Sequence, residues 1–384
     1  MKNVSPIRRE ALKGVRRIVV KIGSAVLTAP AGGLNPRRIQ RLAREIGALR
    51  DRGQDVVLVS SGAVAAGMKH LMREEGRHGI VLKQAAAAVG QSQLMGAYEK
   101  VFGRLKVTVA QVLLTREDLG DRTRFLNARN TLMTLLEYGI LPIINENDTV
   151  AVDEIRFGDN DVLAGLVTRL VDADLLIILT DMDGLYTADP RVQPKATRIP
   201  LVRGIGPEIE RIAGTSKSRE GTGGMASKVQ TAKNVALCGL PTLILSGKVS
   251  GAVGRALDGE EAGTLFLPVE KVLSGRQYWI IHGIPEKGRL ILDDGAREAI
   301  VEKGKSLLPS GIRGLEGTFA AGDAVACVDG SGKKWAKGLV NYGSEEIAKI
   351  LGRKTTEIAE ILGYKDYDEV IHRDNLVVWK AEER

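Results

Sequence analysis

The sequence predicts an α/β protein of two domains, in which helices cover both faces of a mostly parallel sheet and a small, mainly β module follows. Three observations support this fold class. The chain has 384 residues, 44% of them hydrophobic, which is more than one core usually holds. Short β-branched runs alternate with stretches of helical periodicity through the first two-thirds of the chain. After about Pro268 the pattern changes to short strands with close glycine turns.

The strands of the first domain are predicted from six short apolar runs, at residues 17–22, 55–60, 107–113, 141–144, 175–180 and 242–245. Two of the intervening helices have a clear apolar face. Residues 36–49 place Ile39, Leu42, Ile46 and Leu49 on one side, and residues 126–136 do the same with Leu132, Leu135 and Leu136. Ligands of such a parallel sheet are expected at the carboxyl ends of its strands.

The C-terminal module is predicted from its turn glycines, which are Gly311, Gly314, Gly317, Gly322, Gly330 and Gly332. The junction before it, at residues 269–285, does not have the composition of a flexible linker. We expect a first domain at residues 1–270, a second at 286–364 and a C-terminal tail at 365–384.

Composition and charge narrow the classes of function. The formal net charge is +8, yet residues 275–384 carry 17 Lys and Arg against 18 Asp and Glu, so the basic excess lies in the first domain. Anionic small substrates would suit that excess as well as a polyanion would. No apolar run reaches the roughly 18 residues that span a bilayer, and the basic N-terminus lacks the apolar stretch of a secretory signal. With two isolated cysteines, Cys238 and Cys327, a cytoplasmic location is expected.

Two predicted strands end in residues suited to an anionic ligand. Lys21 stands in an otherwise apolar strand, and Gly23 follows closely, which lets the backbone approach a ligand. A lysine on an edge strand with its ammonium group in solvent is the alternative. The next strand runs into Ser61 and Gly62 before a helix, where backbone N–H groups can hold a phosphate or carboxylate. A plain serine N-cap would explain that turn equally well.

Two clusters of amides and carboxylates follow the fourth strand, at residues 145–148 and 159–161. Turn chemistry alone could explain either one, because Asn and Asp favour turns. Two clusters about ten residues apart are harder to explain in that way. Together they could bind an α-amino group and also orient lysines or magnesium.

The fifth strand ends in Thr180 and Asp181, and a glycine-rich turn at residues 221–224 precedes a helix predicted over residues 225–237. Lys228 lies one turn into that helix. Such a turn resembles a phosphate cradle in principle. It matches neither the GxxxxGK[ST] loop nor a GxGxxG turn after a strand, so the nucleotide-binding folds that carry those motifs are not indicated.

Taken together and in order, these segments resemble the amino acid kinase family. The matching motifs are VVKIGSAVLT, VSSGAVAAG, INENDTV, FGDND, LTDMDGLYTADP and GTGGMASK. They are most similar to the branch of that family that phosphorylates L-glutamate. Residues 286–364, with LDDGAREAI, GKSLLPSGI and GTFAAGDAV, resemble a PUA domain. The departures are small: Ser24-Ala25 stands where Thr-Ser is common, and Ala226-Ser227 where Ser-Thr is common.

The resemblance implies an αβα sandwich around a mainly parallel sheet of roughly eight strands, with a mainly β PUA domain. It implies three catalytic residues, Lys21, Lys228 and Asp161, in which the lysines contact the transferred phosphoryl group and the aspartate holds them. It implies substrate binding by Ser61, Gly62, Asn145, Asp148 and Asn160. It implies ATP binding by Lys21, Thr180, Asp181, Thr222, Gly223, Gly224, Met225, Ala226, Ser227 and Lys228.

The implied activity is transfer of phosphate from ATP, with Mg²⁺, to the γ-carboxylate of L-glutamate, as the first step of proline biosynthesis. That carboxylate is ionised at neutral pH, so no general base is needed. None of the four histidines lies in a matching motif. The implied partners are L-proline as a feedback inhibitor, glutamate-5-semialdehyde dehydrogenase as consumer of the labile acyl phosphate, and further copies of the chain in a homodimer or homotetramer.

Two alternatives remain open. A sibling kinase could act on aspartate, N-acetylglutamate, carbamate or UMP, although the paired amide clusters with this C-terminal domain favour glutamate. An RNA-binding protein is the alternative from another class, because PUA domains are frequent in such proteins. The near-neutral charge of residues 275–384 argues against RNA binding, since this region lacks a basic stripe and exposed aromatic pairs.

Overall fold

A computed structural model describes residues 5–29, 32–71, 79–151, 160–214, 224–268, 277 and 279–378. Thr222 and Gly223, which are predicted to bind ATP, lie outside these residues. The chain divides into two compact units, Met1–Val272 and Leu273–Arg384. Within the described ranges, no helix has both the length and the apolar character needed to cross a membrane.

The first unit is built on an eight-stranded sheet. Its strands are β1 (Arg17–Ile22), β2 (Asp55–Ser60), β3 (Val109–Leu114), β4 (Leu141–Glu146), β5 (Leu175–Thr180), β6 (Leu201–Val202), β7 (Thr242–Ser246) and β8 (Thr264–Phe266). They lie in the order β3-β4-β2-β1-β5-β7-β8-β6. All neighbouring strands are parallel except β7 and β8. The predicted mainly parallel sheet is confirmed, while β6 and β8 were missed because they are only two and three residues long.

The helices of the first unit connect these strands. They are α1 (Pro6–Ala11), α2 (Ser24–Leu27), α3 (Pro36–Asp51), α4 (Ala63–Leu71), α5 (Ile80–Gly103), α6 (Arg116–Gly120), α7 (Arg122–Glu137), α8 (Asn160–Leu170), α9 (Pro207–Gly214), α10 (Met225–Ala236) and α11 (Ala252–Leu257). The predicted face of α3 is confirmed, since all four of its apolar residues are buried. On α7, Leu132 and Leu136 are buried and Leu135 is half-buried.

The core of the first unit explains why its strands are so uniformly apolar. Ile18, Val19, Val20 and Ile22 of β1 have no exposed surface, and all six residues of β5 are buried. Strands covered on both faces need apolar side chains on both faces. A polar side chain in this sheet therefore requires a partner, and Lys21 is the one charged residue between Ile18 and Ile22.

The second unit contains a five-stranded sheet in the order β10-β9-β11-β12-β13. Its strands are β9 (Glu286–Leu292), β10 (Ile312–Gly317), β11 (Ala324–Val328), β12 (Lys334–Leu339) and β13 (Leu376–Val378). They are antiparallel apart from the β9 and β11 pair. The α-helices described in this unit are α12 (Asp294–Val301), α13 (Ser344–Ile350) and α14 (Ile358–Leu362), and a short π-helix (Trp279–Gly283) precedes β9. Strand β13 lies within residues 365–384, the predicted C-terminal tail, and pairs with β12.

Helices α4 and α5 cross without room for side chains at their contact. A Cβ atom on Gly90 would lie 1.8 Å from the carbonyl oxygen of Ala63, and one on Gly67 would lie 1.8 Å from that of Ala86. The two backbones touch directly at these glycines. The crossing therefore fixes the position of α5 relative to the helix that follows β2.

We expect Gly90→Ala to lower the free energy of unfolding by roughly 1–3 kcal/mol or more, because the added methyl group overpacks this crossing. Gly96→Ala is the matched control on the same helix, where a Cβ would meet nothing within 4 Å. That change should be neutral or stabilise by up to about 1 kcal/mol. Urea titration of both variants measures the difference, and equal stability of the two would contradict the packing argument.

Candidate active site

The polar residues gather at the carboxyl ends of the central strands. Residues 145–146 end β4, residues 61–62 follow β2, Gly23 follows β1, and residues 180–181 end and follow β5. Because the strand order is β4-β2-β1-β5, residues 145–146 and 61–62 lie toward one side of β1 and the Thr180 segment toward the other. Backbone hydrogen bonds continue past the strand ends, from Ser61 N–H to Ile22 O at 3.1 Å and from Gly23 N–H to Leu179 O at 3.0 Å. The edge therefore forms one continuous surface.

Lys21 lies in the middle of the sheet, which excludes the alternative of an edge-strand lysine in solvent. The residue is 4% exposed, and its Nζ lies 2.6 Å from Oδ1 of Asp161. Lys228, 5% exposed, places its Nζ 3.1 Å from Oδ2 of the same carboxylate. Asp161 itself has no exposed surface. The structure thus brings together the three residues that are predicted to act in catalysis.

The local structure explains how these three charges meet. Lys21 is carried by β1, Asp161 is the second residue of α8, and Lys228 lies in the first turn of α10. Lys228 also donates to the carbonyl oxygen of Gly224, the residue before α10, at 3.4 Å. Burial alone would raise the pKa of Asp161, but the two ammonium groups outweigh it and hold that pKa below its usual range. Asp161 is therefore ionised at neutral pH.

An amide cluster lies beside this charged group. Asn160 donates from Nδ2 to Ser61 Oγ at 3.1 Å and to Asn145 Oδ1 at 3.0 Å. Asn145 is 2% exposed and donates from its own Nδ2 to Oε1 of Gln91 at 2.8 Å. The structure thereby joins Ser61, Asn145 and Asn160, three of the predicted substrate-binding residues. Gln91, on α5, was missed, because nothing in the sequence near it indicates a site.

The remaining predicted substrate residues lie in the adjoining turns. Asp148 is half-buried in the turn after β4. Gly62 has φ of +109°, a backbone conformation that side chains rarely adopt, so glycine is required where β2 turns into α4. Their roles in binding substrate stay predictions.

A pocket opens on the β5 side of the lysines. Its lining includes Thr180, Asp181, Gly224, Met225 and Lys228, five of the predicted ATP-binding residues. Thr180 donates from Oγ1 to Asp181 Oδ1 at 3.1 Å. Ala226 and Ser227 lie in the first turn of α10, exposed and half-buried respectively, and do not line the pocket. A helix N-terminus beside a buried lysine is a favourable place for phosphate groups.

The pocket also contains residues that were not predicted from the sequence. Tyr186, Asp189 and Arg191 lie in its wall. Tyr186 donates to Asp183 at 2.7 Å, and this hydrogen bond raises the pKa of the phenol. Arg191 holds Asp189 through Nη2 at 2.8 Å and Nε at 3.0 Å. The sequence did contain a signal for two of them, because Tyr186 and Asp189 belong to the LTDMDGLYTADP motif. Only Thr180 and Asp181 of that motif were predicted to bind ATP.

The described part of the chain contains no group of three or more His, Cys, Asp or Glu side chains arranged to hold a metal ion. A preformed protein cage for a metal is therefore absent from those residues.

Comparison with known proteins identifies the family. A model of the amino acid kinase family matches residues 16–246, and a PUA domain model matches residues 288–362. A protein named glutamate 5-kinase from Pelobacter propionicus is 52% identical over 97% of this chain and 100% of its own length. Proteins of the same name from Geobacter sulfurreducens and Geobacter metallireducens are 53% and 55% identical, with the same coverage.

The chain belongs to the amino acid kinase family, in its glutamate 5-kinase group. The predicted resemblance is confirmed for both domains. In this family member the pocket, the paired lysines and the amide cluster all lie within the residues that the kinase model matches.

We expect Asp161→Asn to lower the free energy of unfolding by about 3–5 kcal/mol at pH 7, because it removes the carboxylate that two buried ammonium groups contact. The folded-state pKa of Asp161 is lowered, so its contribution is fully present above the unfolded value of about 3.9. It is lost as pH falls through the lowered folded value. Urea titration at pH 7 and at successively lower pH measures both effects.

Asp172→Asn is the matched control. Asp172 is 51% exposed and pairs with Arg129 at 2.5 Å, and its φ of +47° is one that asparagine tolerates. Its loss should cost about 1 kcal/mol or less. If Asp161→Asn and Asp172→Asn lower the free energy of unfolding by similar amounts, Asp161 is not held as a buried charge.

Proposed function

We propose that this chain transfers the γ-phosphoryl group of ATP to the side-chain carboxylate of L-glutamate, the opening step of proline biosynthesis. One observation carries the proposal: a single buried carboxylate contacts two buried lysines between a pocket and an amide cluster. Relatives more than half identical over nearly the whole chain are named glutamate 5-kinase, which supports glutamate as the acceptor.

The charges of the site suit phosphoryl transfer. Two buried ammonium groups, those of Lys21 and Lys228, contact the single carboxylate of Asp161. A transferring phosphoryl group spreads negative charge over its oxygens, and Lys21 and Lys228 are placed to stabilise it. Because the acceptor carboxylate is already ionised at neutral pH, the chain needs to orient it and not to deprotonate it.

Magnesium fits this site only as the companion of ATP. Mg²⁺ is usually held by one or two carboxylates together with substrate phosphates and water, and when bound it would neutralise charge on the phosphate oxygens. Asp161 is engaged by two lysines, and Asp189 by Arg191. Asp181, which lines the pocket, is the carboxylate that we assign to the ion.

The product would be an acyl phosphate, which water hydrolyses readily. We propose that glutamate-5-semialdehyde dehydrogenase consumes it promptly by reduction, and that the chain forms a homodimer or homotetramer. The PUA domain would take no part in the chemistry, because the residues assigned to both substrates lie in the first unit.

We expect ATP consumption that depends on both magnesium and glutamate, with hydroxylamine trapping a γ-glutamyl hydroxamate, since an acyl phosphate reacts with that nucleophile. The measurement is ADP release against a panel of acceptors together with hydroxamate colour. Turnover with aspartate or UMP and none with glutamate would overturn the proposal.

The same assay tests the lysines. Lys21→Ala and Lys228→Ala should each lower kcat roughly a hundredfold or more, the usual scale for losing one charge contact in the transition state. Lys233→Ala is the control on the same helix, because Lys233 pairs with Glu210 at 2.9 Å and does not line the pocket. It should keep kcat near the original value. Wild-type kcat in the Lys21 or Lys228 variant would contradict the assigned roles.

We also expect L-proline to inhibit in competition with glutamate. Proline carries the α-amino and α-carboxylate groups that Ser61, Asp148 and Asn160 are proposed to hold, but it offers no γ-carboxylate. Raising glutamate should therefore relieve the inhibition, and initial rates over a grid of both concentrations measure it. A noncompetitive pattern would place proline at a separate site.

A further inference from the structure

We propose that Gln91, by accepting from Asn145, stabilises the hydrogen-bond direction that the backbone N–H of Glu146 begins, so that the amide cluster offers an acceptor and a donor to an α-amino acid. The acceptor is Oδ1 of Asn160, for the α-ammonium group, and the donor is the hydroxyl of Ser61, for the α-carboxylate. Gln91 is a positioning residue that acts through Asn145. The inference rests on the glutamate kinase activity proposed above.

The direction begins at a backbone group that cannot reverse. The N–H of Glu146 donates to Oδ1 of Asn145 at 2.9 Å, and a backbone N–H can only donate. Asn145 must therefore point its oxygen toward this N–H. Its Nδ2 must point the other way, toward Gln91.

Gln91 completes the first half of the cluster. It lies 2.8 Å from Asn145 through Oε1, so it accepts the hydrogen bond that the Asn145 amide is forced to offer. Gln91 follows Gly90, where α5 touches α4, and this contact holds the glutamine in place. Nε2 of Gln91 is buried and finds no hydrogen-bond partner among the described residues. The role of this side chain is thus to accept.

Asn160 receives its orientation from Asn145. Oδ1 of Asn145 accepts from Glu146 N–H and from Nδ2 of Asn160, which uses both of its lone pairs. The second N–H of Asn160 donates to Ser61 Oγ. Oδ1 of Asn160 is left buried, and none of the described residues donates to it. A buried acceptor of this kind favours a cationic donor, which the α-ammonium group of an amino acid supplies.

Ser61 is the last member of the cluster. Its Oγ accepts from Asn160 at 3.1 Å, so its own proton remains to be donated. The backbone oxygen of Ser61 is already engaged by the hydroxyl of Ser60 at 3.2 Å. A hydroxyl donor next to an amide acceptor matches the carboxylate and ammonium groups on one α-carbon. If the Asn145 amide were reversed, its own N–H would face the backbone N–H of Glu146, and two donors would meet without an acceptor.

The test compares Gln91→Met with Gln91→Glu in the full-length chain. Methionine keeps the size of the side chain but cannot accept strongly, so Nδ2 of Asn145 loses its acceptor and the orientation of the Asn145 and Asn160 amides is held less firmly. The KM for glutamate should rise roughly tenfold or more, the scale for one hydrogen bond to a charged group. The kcat and the KM for ATP should stay within about twofold, because the lysines are untouched. Glutamate keeps an acceptor at the same atom and should restore most of the KM.

Gln230→Met is the matched control, because Gln230 donates to Asn234 at 3.0 Å on the exposed face of α10. It removes the same kind of side-chain hydrogen bond away from the amide cluster. Thermal unfolding of each variant monitors folding, and Gln91→Ala serves in the same comparison if the methionine variant is unfolded. The Ki of glutarate, which is glutamate without the ammonium group, should change less than the KM for glutamate.

The outcomes separate this inference from the proposed activity. If the unaltered chain does not turn over glutamate, the proposed activity itself is wrong. Turnover of glutamate with an unchanged KM in Gln91→Met would overturn only the role of Gln91. A Gln91→Glu variant as impaired as Gln91→Met would do the same. An equal rise in the glutarate Ki and the glutamate KM would show general loosening of the pocket in place of a lost ammonium acceptor.

Discussion

The site depends on one constraint: a fully buried carboxylate must be balanced, and Asp161 is balanced by two lysines from different parts of the fold. Both ammonium groups are held at the buried centre by this one carboxylate. A buried ammonium group is stabilised further when an anion arrives. This is the physical basis for the proposal that the two lysines bind the phosphates of a nucleotide and stabilise the phosphoryl group during transfer.

The topology of the sheet makes this arrangement possible. Strand β1 lies between β2 and β5, so Lys21 stands at the boundary between the amide cluster and the pocket. Asp161 follows Asn160 directly in the sequence, and this peptide bond joins the charged centre to the amide cluster. The crossing of α4 and α5 occurs at Gly67 and Gly90, and the next residue, Gln91, accepts a hydrogen bond from Asn145 of that cluster. The residues proposed to orient the substrate thus adjoin those proposed to neutralise the phosphoryl charge.

Much of the fold could be predicted because its signals are local. The apolar runs of β1, β2 and β5 ended at the predicted residues, since strands buried on both faces require uninterrupted apolar side chains. Strands β6 and β8 escaped, because two or three residues carry too little pattern to distinguish them from a loop. The helix from Met225 was predicted within one residue from its glycine-rich start.

The sequence by itself determined the chemical groups: two lysines, an aspartate, amides and a glycine-rich turn, in motifs that resemble one family. Only the tertiary structure decided that Lys21 is central and buried, that one carboxylate serves both lysines, and that Gln91 accepts from Asn145. The physical reason is sequence distance. Gln91 and Asn145 are 54 residues apart, and Lys228 and Asp161 are 67 apart. Local pattern carries no information about such pairs, which chain folding alone brings into contact.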